Sequence, residues 1–270
     1  MKILDGQELA SFIKERQAHQ VAGLAQPPKL LIIRDSDNPV IVKYVNLKIA
    51  YGQDIGVDVE DYFAQNSTDI AQKIQSANQD PTVSGIILQL PILEKSQTDA
   101  LTNLIAPHKD VDGLSSHSDF DSATATAINW LLAGHNITLD HQKIAILGQG
   151  KLVGAPLYQM FLHSGYQVDA FAAGDDLTKL NQYDIIITAT GVPGLVSDAM
   201  VKPGAILVDA GTASEHGILK GDLSNEVRSR QDLTAITPPI GGVGPLTITC
   251  LFDHVIQATT RQASNLTSAT

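Results

Sequence analysis

The stretch Lys143-Ile-Ala-Ile-Leu-Gly-Gln-Gly-Lys-Leu-Val-Gly154 leaves this chain few folds to choose from. A short apolar run ends in glycines spaced Gly148-x-Gly150-x-x-x-Gly154, and Pro156–Ser164 beyond them reads as a helix. An apolar run of this length is a strand buried on both faces, which belongs in a parallel sheet. Glycines let the backbone turn tightly and approach a phosphate, and the helix offers its unpaired amino-terminal N–H groups to the same ligand. A glycine triplet alone says little. The strand before it and the helix after it turn it into a dinucleotide-binding turn. Further strand-like runs at Gln167–Phe171, Asp184–Thr190 and Ala205–Asp209 predict a Rossmann-like domain over residues 122–236, led in by a small-residue helix, Ala123–Leu132. Its candidate nucleotide contacts are Gly148, Gln149, Gly150, Val153 and Gly154, with Gly191, Gly211 and Thr212 on the turns after later strands.

The amino-terminal half keeps the same rhythm. Asp5–Gln20 reads as a polar-faced helix, Lys29–Arg34 as a buried strand, and Asp35–Pro39 as a turn before a helix spanning Tyr44–Tyr51. Asp58–Phe63 is a second strand, Ser67–Asn78 a helix opened by a serine cap, Val83–Pro91 a third strand and Ser96–Ile105 a helix. Strand and helix in alternation predict an α/β fold with a parallel sheet. On a helix, Tyr44 and Lys48 lie one turn apart on one face and present a phenol and an ammonium together. The plain alternative is an amphipathic helix whose lysine points at water. Gln89 lies near the carboxyl end of its strand, where ligands collect in such sheets, or else satisfies nearby backbone. Lys109-Asp-Val-Asp-Gly113 is acidic turn chemistry, ordinarily a solvated loop. No acidic cluster has metal-ligand spacing, so no metal is expected. Ile236–Thr247 carries three glycines and three prolines, a stiff loop against which a flat ligand can pack, leading into a helix over Thr247–Gln262. The tail Ala263–Thr270 has a disordered composition.

Charge and cysteine content narrow the classes. With 18 Lys and Arg against 29 Asp and Glu, the net charge of -11 excludes electrostatic capture of nucleic acid or an anionic membrane. No apolar run reaches membrane-spanning length and the opening residues lack a signal-peptide core. The single Cys250 excludes an intramolecular disulfide and a thiolate metal site. A cytoplasmic enzyme is the expectation.

These stretches together resemble the bifunctional methylenetetrahydrofolate dehydrogenase/cyclohydrolase family, the FolD type. The resemblance rests on Tyr44-Val-x-x-Lys48, Gly85-Ile-Ile-Leu-Gln-Leu-Pro91, Lys109-Asp-Val-Asp-Gly113, Gly148…Val153-Gly-x-Pro156 and Thr237-Pro…Gly241-Gly-Val-Gly-Pro-x-Thr247, in the family's order. Ile3-Leu-Asp-Gly6 and Asp209-x-Gly211 fit as well. The resemblance implies a folate-binding catalytic domain (1–121 with 237–270) completed by the carboxyl-terminal helix, a Rossmann-like NAD(P)-binding domain (122–236), a folate site in the cleft and a homodimer. It implies hydride transfer from methylenetetrahydrofolate to NADP, with NAD possible, followed by hydrolysis of the methenyl product to 10-formyltetrahydrofolate, in one-carbon metabolism. Carried over, Lys48 is the acid/base of the hydrolysis, Tyr44 stacks on the folate, Gln89 tunes Lys48 and Asp112 binds the pterin. Leu90, Pro91, Gly241, Gly242 and Pro245 wall the folate pocket. Two narrower readings stay open: a member with one of the two activities, and a non-catalytic folate- or nucleotide-binding paralogue. Retention of Lys48 argues against the latter.

The departures fall mostly on the nucleotide side. Gln149 stands where the family offers an arginine for the 2′-phosphate of NADP, Ser122-Ala-Thr-Ala125 replaces Pro-Cys-Thr-Pro, and the loop 115–121 is short. Ile41, Leu93 and Ile240 replace a serine and two prolines.

Overall fold

Short strands alternating with helices and turns give the chain its rhythm. The computed structural model describes residues 1–211, 213–215 and 218–268. In chain order come β1 (Lys2–Ile3), α1 (Gly6–Ala22), β2 (Lys29–Arg34), α2 (Pro39–Ile55), β3 (Asp58–Phe63), α3 (Ser67–Gln79), β4 (Gly85–Leu88) and α4 (Thr98–Thr102). Then follow α5 (Ala123–Gly134), β5 (Lys143–Leu147), α6 (Gly154–His163), β6 (Gln167–Phe171), β7 (Ile185–Thr188) and β8 (Ile206–Asp209). The last are β9 (Ala213–Glu215), β10 (Ile218–Lys220), α7 (Asn225–Arg228), β11 (Ala235–Ile236) and α8 (Val243–Ser268). Two compact units result, one of Ser11–Ala123 with Ile248–Thr270, the other of Met1–Ala10 with Thr124–Thr247.

The first unit holds a parallel sheet ordered β3-β2-β4. Leu31 and Ile33 of β2 and Ile86 and Leu88 of β4 share one face and pack on Ile70 and Ile74 of α3. Each such side chain contributes roughly 1.5–3 kcal/mol by leaving water. The predicted turn before α2 is in fact its cap: the Asn38 side chain accepts from Val40 N at 2.9 Å and Pro39 takes the first helical position. Gly56, at φ 83°, ends that helix in the left-handed region. For α3 the cap is Asn66 rather than Ser67, since its side chain accepts from Asp69 N at 3.0 Å. β4 is shorter than its apolar run, because the chain leaves the sheet at Gln89 and turns at a cis Leu90–Pro91 bond. The helix expected over Ser96–Ile105 shrinks to α4 behind a 3-10 turn at Lys95–Gln97. There the Thr102 hydroxyl bonds back to the Thr98 and Asp99 carbonyls.

The second unit carries an all-parallel sheet ordered β1-β11-β8-β7-β5-β6, beside a β9–β10 hairpin. β6 and β7 flank β5 on opposite sides, so the chain reverses its direction of travel between β5 and β7. That reversal opens a crevice at the carboxyl ends of those strands. Met1–Ala10 and residues 237–247 cluster with this unit, whereas the sequence-based division places them with the folate-binding part. β1 pairs with β11, and Gly6 N donates to Gly241 O at 2.9 Å. α8 starts at Val243, ahead of the expected Thr247, with Pro245 in its first turn where a missing N–H costs little. Its helical backbone continues to Ser268, through most of the tail expected to be disordered. The hydroxyls of Thr259, Thr260 and Ser264 bond to carbonyls one turn back at 2.8, 2.9 and 3.0 Å.

Candidate active site

α2 buries Ile41, Val45, Gly52 and Ile55 on one face, which leaves Tyr44 and Lys48 half-buried on successive turns. Gln89, the first residue beyond β4, keeps the sheet's register by donating its N–H to Ile33 O at 2.8 Å. Its amide Nε2 donates to Leu90 O at 3.1 Å, so Oε1 faces the lysine and accepts from Lys48 Nζ at 2.7 Å. Asp35, buried just past β2, fixes the far end of this turn by accepting from Leu93 N at 3.2 and 3.0 Å. The sequence reading missed Asp35; the signal was an acid directly after a buried strand. Leu90 is half-buried and Pro91 exposed on the same turn.

The Lys109–Gly113 turn divides its labour. Lys109 is buried, and its Nζ donates to the carbonyls of Ala77, Asn78 and Asp80 at 2.8, 3.1 and 2.7 Å. It thereby places a cation on the negative end of the α3 dipole. Asp110 is buried too, extends the sheet in a bridge to Ile86, and accepts from Ser115 N at 2.8 Å. Gly113, at φ 68°, leaves no room for a side chain, because a Cβ there would lie 2.3 Å from Asp121 O. Asp112 alone is left half-buried with its carboxyl uncommitted to the turn.

Lys48 and Asp112 feel each other's charge, yet both shift toward neutrality. Burial holds the Lys48 ammonium below the usual lysine range, with Asp112 opposing. Burial raises the Asp112 carboxyl, with Lys48 and His254 opposing and Asp110 adding to the rise. Desolvation therefore outweighs attraction in this pair. An amine shifted downward can hold or release a proton nearer neutral pH, as general acid/base work requires.

In the second unit the nucleotide turn takes the expected form. Gly148 sits at φ 88°, and a Cβ there would lie 2.5 Å from Ala189 O across the crevice between β5 and β7. A Cβ on Gly154 would lie 1.7 Å from Gly148 O, so the start of α6 packs on the strand only through glycine. Gly150 meets nothing within 4 Å, the open cradle a phosphate-binding turn needs. Val153 occupies the N-cap position of α6 without a side-chain cap bond, while Gln149 is exposed and spends its Nε2 on Gly148 O at 3.1 Å. Gly191 turns the chain at φ 67°.

Gly211 presses on the fully buried Asp222, whose carboxyl a Cβ there would meet at 2.1 Å. Asp222 accepts from Thr190 N at 2.7 Å, and burial raises its carboxyl, with the neighbouring Asp209 adding to the rise. Asp209 pairs with Arg228. Asp209 was legible only as part of a motif, and Asp222 and Arg228 were missed. Thr212 lies outside the described residues. The acids beyond and within β6 are already engaged: Asp169 by Tyr183 OH at 2.8 Å, Asp175 by Ala172 N at 2.7 Å, Asp176 by Thr178 N at 3.1 Å. Of the loop residues assigned to the folate pocket, Gly241 has φ 92°, Gly242 is buried against Thr237, and Pro245 is half-buried in α8. These three belong to the unit that carries the nucleotide turn, and Tyr44, Lys48, Gln89 and Asp112 to the other.

A parallel sheet reversing at a glycine turn, with a separate α/β unit presenting a lysine to a strand-end glutamine, defines a two-unit dinucleotide-dependent enzyme. The chain belongs to the tetrahydrofolate dehydrogenase/cyclohydrolase family. That family's catalytic-domain model matches residues 4–112 and its NAD(P)-binding-domain model residues 122–263. The chain is 33% identical over 274 residues to the "Bifunctional protein FolD" of Hydrogenobaculum sp., covering 96% of this chain and 98% of that protein. Among solved structures it is similar to the bifunctional FolD methylenetetrahydrofolate dehydrogenase/cyclohydrolase from Campylobacter jejuni, with TM-score 0.91, 30% identity and coverage of 97% and 99%. It is also similar to a 5,10-methylenetetrahydrofolate dehydrogenase from the silkworm Bombyx mori, with TM-score 0.87, 32% identity and coverage of 98% and 99%.

Proposed function

We propose that this protein oxidises methylenetetrahydrofolate to methenyltetrahydrofolate with NAD(P) and hydrolyses the product to 10-formyltetrahydrofolate. The observation that carries the reading is the 2.7 Å bond from Lys48 Nζ to Gln89 Oε1, beside a carboxyl that lies in the same field. A dehydrogenase alone needs no acid/base, because hydride transfer is a matter of holding two rings face to face. Opening the methenyl carbon needs an activated water and a delivered proton. Lys48, lowered toward neutrality and aimed by Gln89, supplies both at Nζ. Asp112 accepts hydrogen bonds from the amidine-like edge of the pterin, and Tyr44 covers its face from the turn before Lys48. Leu90 and Pro91 line the folate.

The turn Gly148–Gly154 receives the pyrophosphate on the amino terminus of α6, with Gly191 and Gly211 beside the rest of the cofactor. When bound, the nicotinamide accepts the hydride. NADP is the cofactor, and NAD substitutes more readily than is usual for the family, since Gln149 brings no charge to a 2′-phosphate. The chain forms a homodimer, for which β3, an edge strand with Phe63 38% exposed, offers an open side. It works in the cytoplasm, where the free, buried thiol of Cys250 stays reduced. Lys48→Met tests the reading. Methenyltetrahydrofolate hydrolysis should fall on the order of a hundredfold to ten-thousandfold while the fold persists. Hydrolysis at the parent rate by the folded variant excludes Lys48 as the acid/base.

A further inference from the structure

Asp112 is pinned through the two peptide units that flank it. On one side its own carbonyl accepts from Ala123 N at 3.1 Å. On the other, the carbonyl of fully buried Val111 meets His254 Nδ1 at 2.8 Å, reaching in from α8. A carbonyl only accepts, so Nδ1 carries the proton and the ring's tautomer is fixed. The Val111 side chain is wedged against β4, where a Cβ on Gly85 would lie 2.8 Å from it. With that side chain immobile, the peptide joining Val111 to Asp112 is free to rotate only if His254 lets go. Rotation of that peptide swings the Asp112 carboxyl.

The imidazole is itself held. Phe120, on the short loop after the Asp112 turn, stacks on it at 4.9 Å and 27°. Arg261 of α8 lies 4.9 Å from the Phe120 ring. The acids facing His254 are Asp253 on its own helix and Asp112 and Asp121 on the loop. Burial nonetheless keeps the ring below the usual histidine range, so it serves as a neutral donor. His254 acts on Lys48 only by way of Asp112, whose charge Lys48 feels.

We propose that His254 is a positioning residue for the substrate, setting the direction of the Asp112 carboxylate through the Val111 carbonyl. The proposal rests on the reading of Asp112 as the pterin-edge acceptor. His254→Phe keeps the stacked ring and removes the donor. It should raise the KM for methenyltetrahydrofolate about tenfold, the scale of a misaligned charged hydrogen bond, with kcat changed less than about twofold. His254→Asn should restore the parent KM, because the asparagine amide nitrogen stands as many bonds from Cα as Nδ1 does. In an Asp112→Ala background, His254→Phe should add nothing, since the group it aims is gone.

If Asp112→Ala raises KM and His254→Phe does not, the positioning role is overturned and the pterin reading stands. If both raise KM but their effects simply multiply, His254 acts on the fold at large and the proposal is equally overturned. If Asp112→Ala leaves KM unchanged, the pterin reading falls and takes the proposal with it. Should the phenylalanine variant not fold, His254→Met, which fills the ring's place without a donor, enters the same cycle.

Discussion

Replacing Gln89 by glutamate converts the lysine's neutral acceptor into a charge without moving an atom far. At the 2.7 Å separation of Lys48 Nζ and Gln89 Oε1, a full charge on that oxygen attracts the ammonium by roughly 1.5 kcal/mol in water-like surroundings. At an effective dielectric of about 20 the figure is about 6 kcal/mol. Lys48 is half-buried, so solvent screens the pair and sets the lower figure as the minimum. A change of 1.4 kcal/mol moves a titration by about one pH unit. Gln89→Glu should therefore displace the lysine's titration upward by about one pH unit or more, undoing part of what burial achieves. Hydrolysis of methenyltetrahydrofolate, followed by loss of its absorbance and corrected for the uncatalysed rate, is measured across pH at saturating substrate. The limb that reports free amine should move to higher pH by at least that amount, with the rate at any fixed pH on that rising limb falling about tenfold. The dehydrogenase rate, which uses no proton on Lys48, should change far less. A pH profile superimposable on the parent's would refute the argument that Gln89 sets the protonation of Lys48.

Three further outcomes follow from the same geometry. Lys109→Met strips three carbonyls of a buried cation and should cost about 2–4 kcal/mol, lowering Tm by roughly 5–15 °C while folate KM at permissive temperature holds; an unchanged Tm rules out the helix-end role. Asp112→Asn removes a carboxyl whose folded-state titration is raised, so its ionisation opposes folding as pH climbs from the unfolded value of about 3.9 through the folded one. The variant's advantage in Tm should thus be absent at pH 3, grow through that window and then level off, and equal Tm values at pH 7 contradict it. Gln149→Arg should raise kcat/KM for NADP relative to NAD, since a planar guanidinium matches phosphate oxygens; a parent enzyme already strongly selective for NADP and indifferent to the arginine shows that another residue binds the phosphate.

What the sequence made legible was local. Apolar runs located the strands of both sheets, and the i,i+4 spacing of Tyr44 and Lys48 put them on one helix face. Positions on motifs singled out Gln89 and Asp112. What stayed hidden depends on residues far apart in the chain. The order in which parallel strands lie side by side is invisible to periodicity, so the crevice between β5 and β7 came only with the structure. Lys109 stood in a turn expected to be solvated until its amine was seen closing α3. Asp35, Asp222 and His254 each meet their partners across tens of residues or more, and no local pattern marks them. Boundaries slipped where a side chain caps the helix, as at Asn38 and Asn66.

The three glycines of the nucleotide turn differ in what they answer to. Gly148 and Gly154 are demanded by the protein's own backbone, so a methyl group at either is a folding defect whether or not a dinucleotide is present. Gly150 faces empty space, and the chain alone sets no limit on its size. An alanine there is a silent change to the unliganded protein and a visible one only to whatever approaches the turn. That single position therefore lets cofactor selection be explored by mutation without loss of foldability, a freedom its two neighbours do not share.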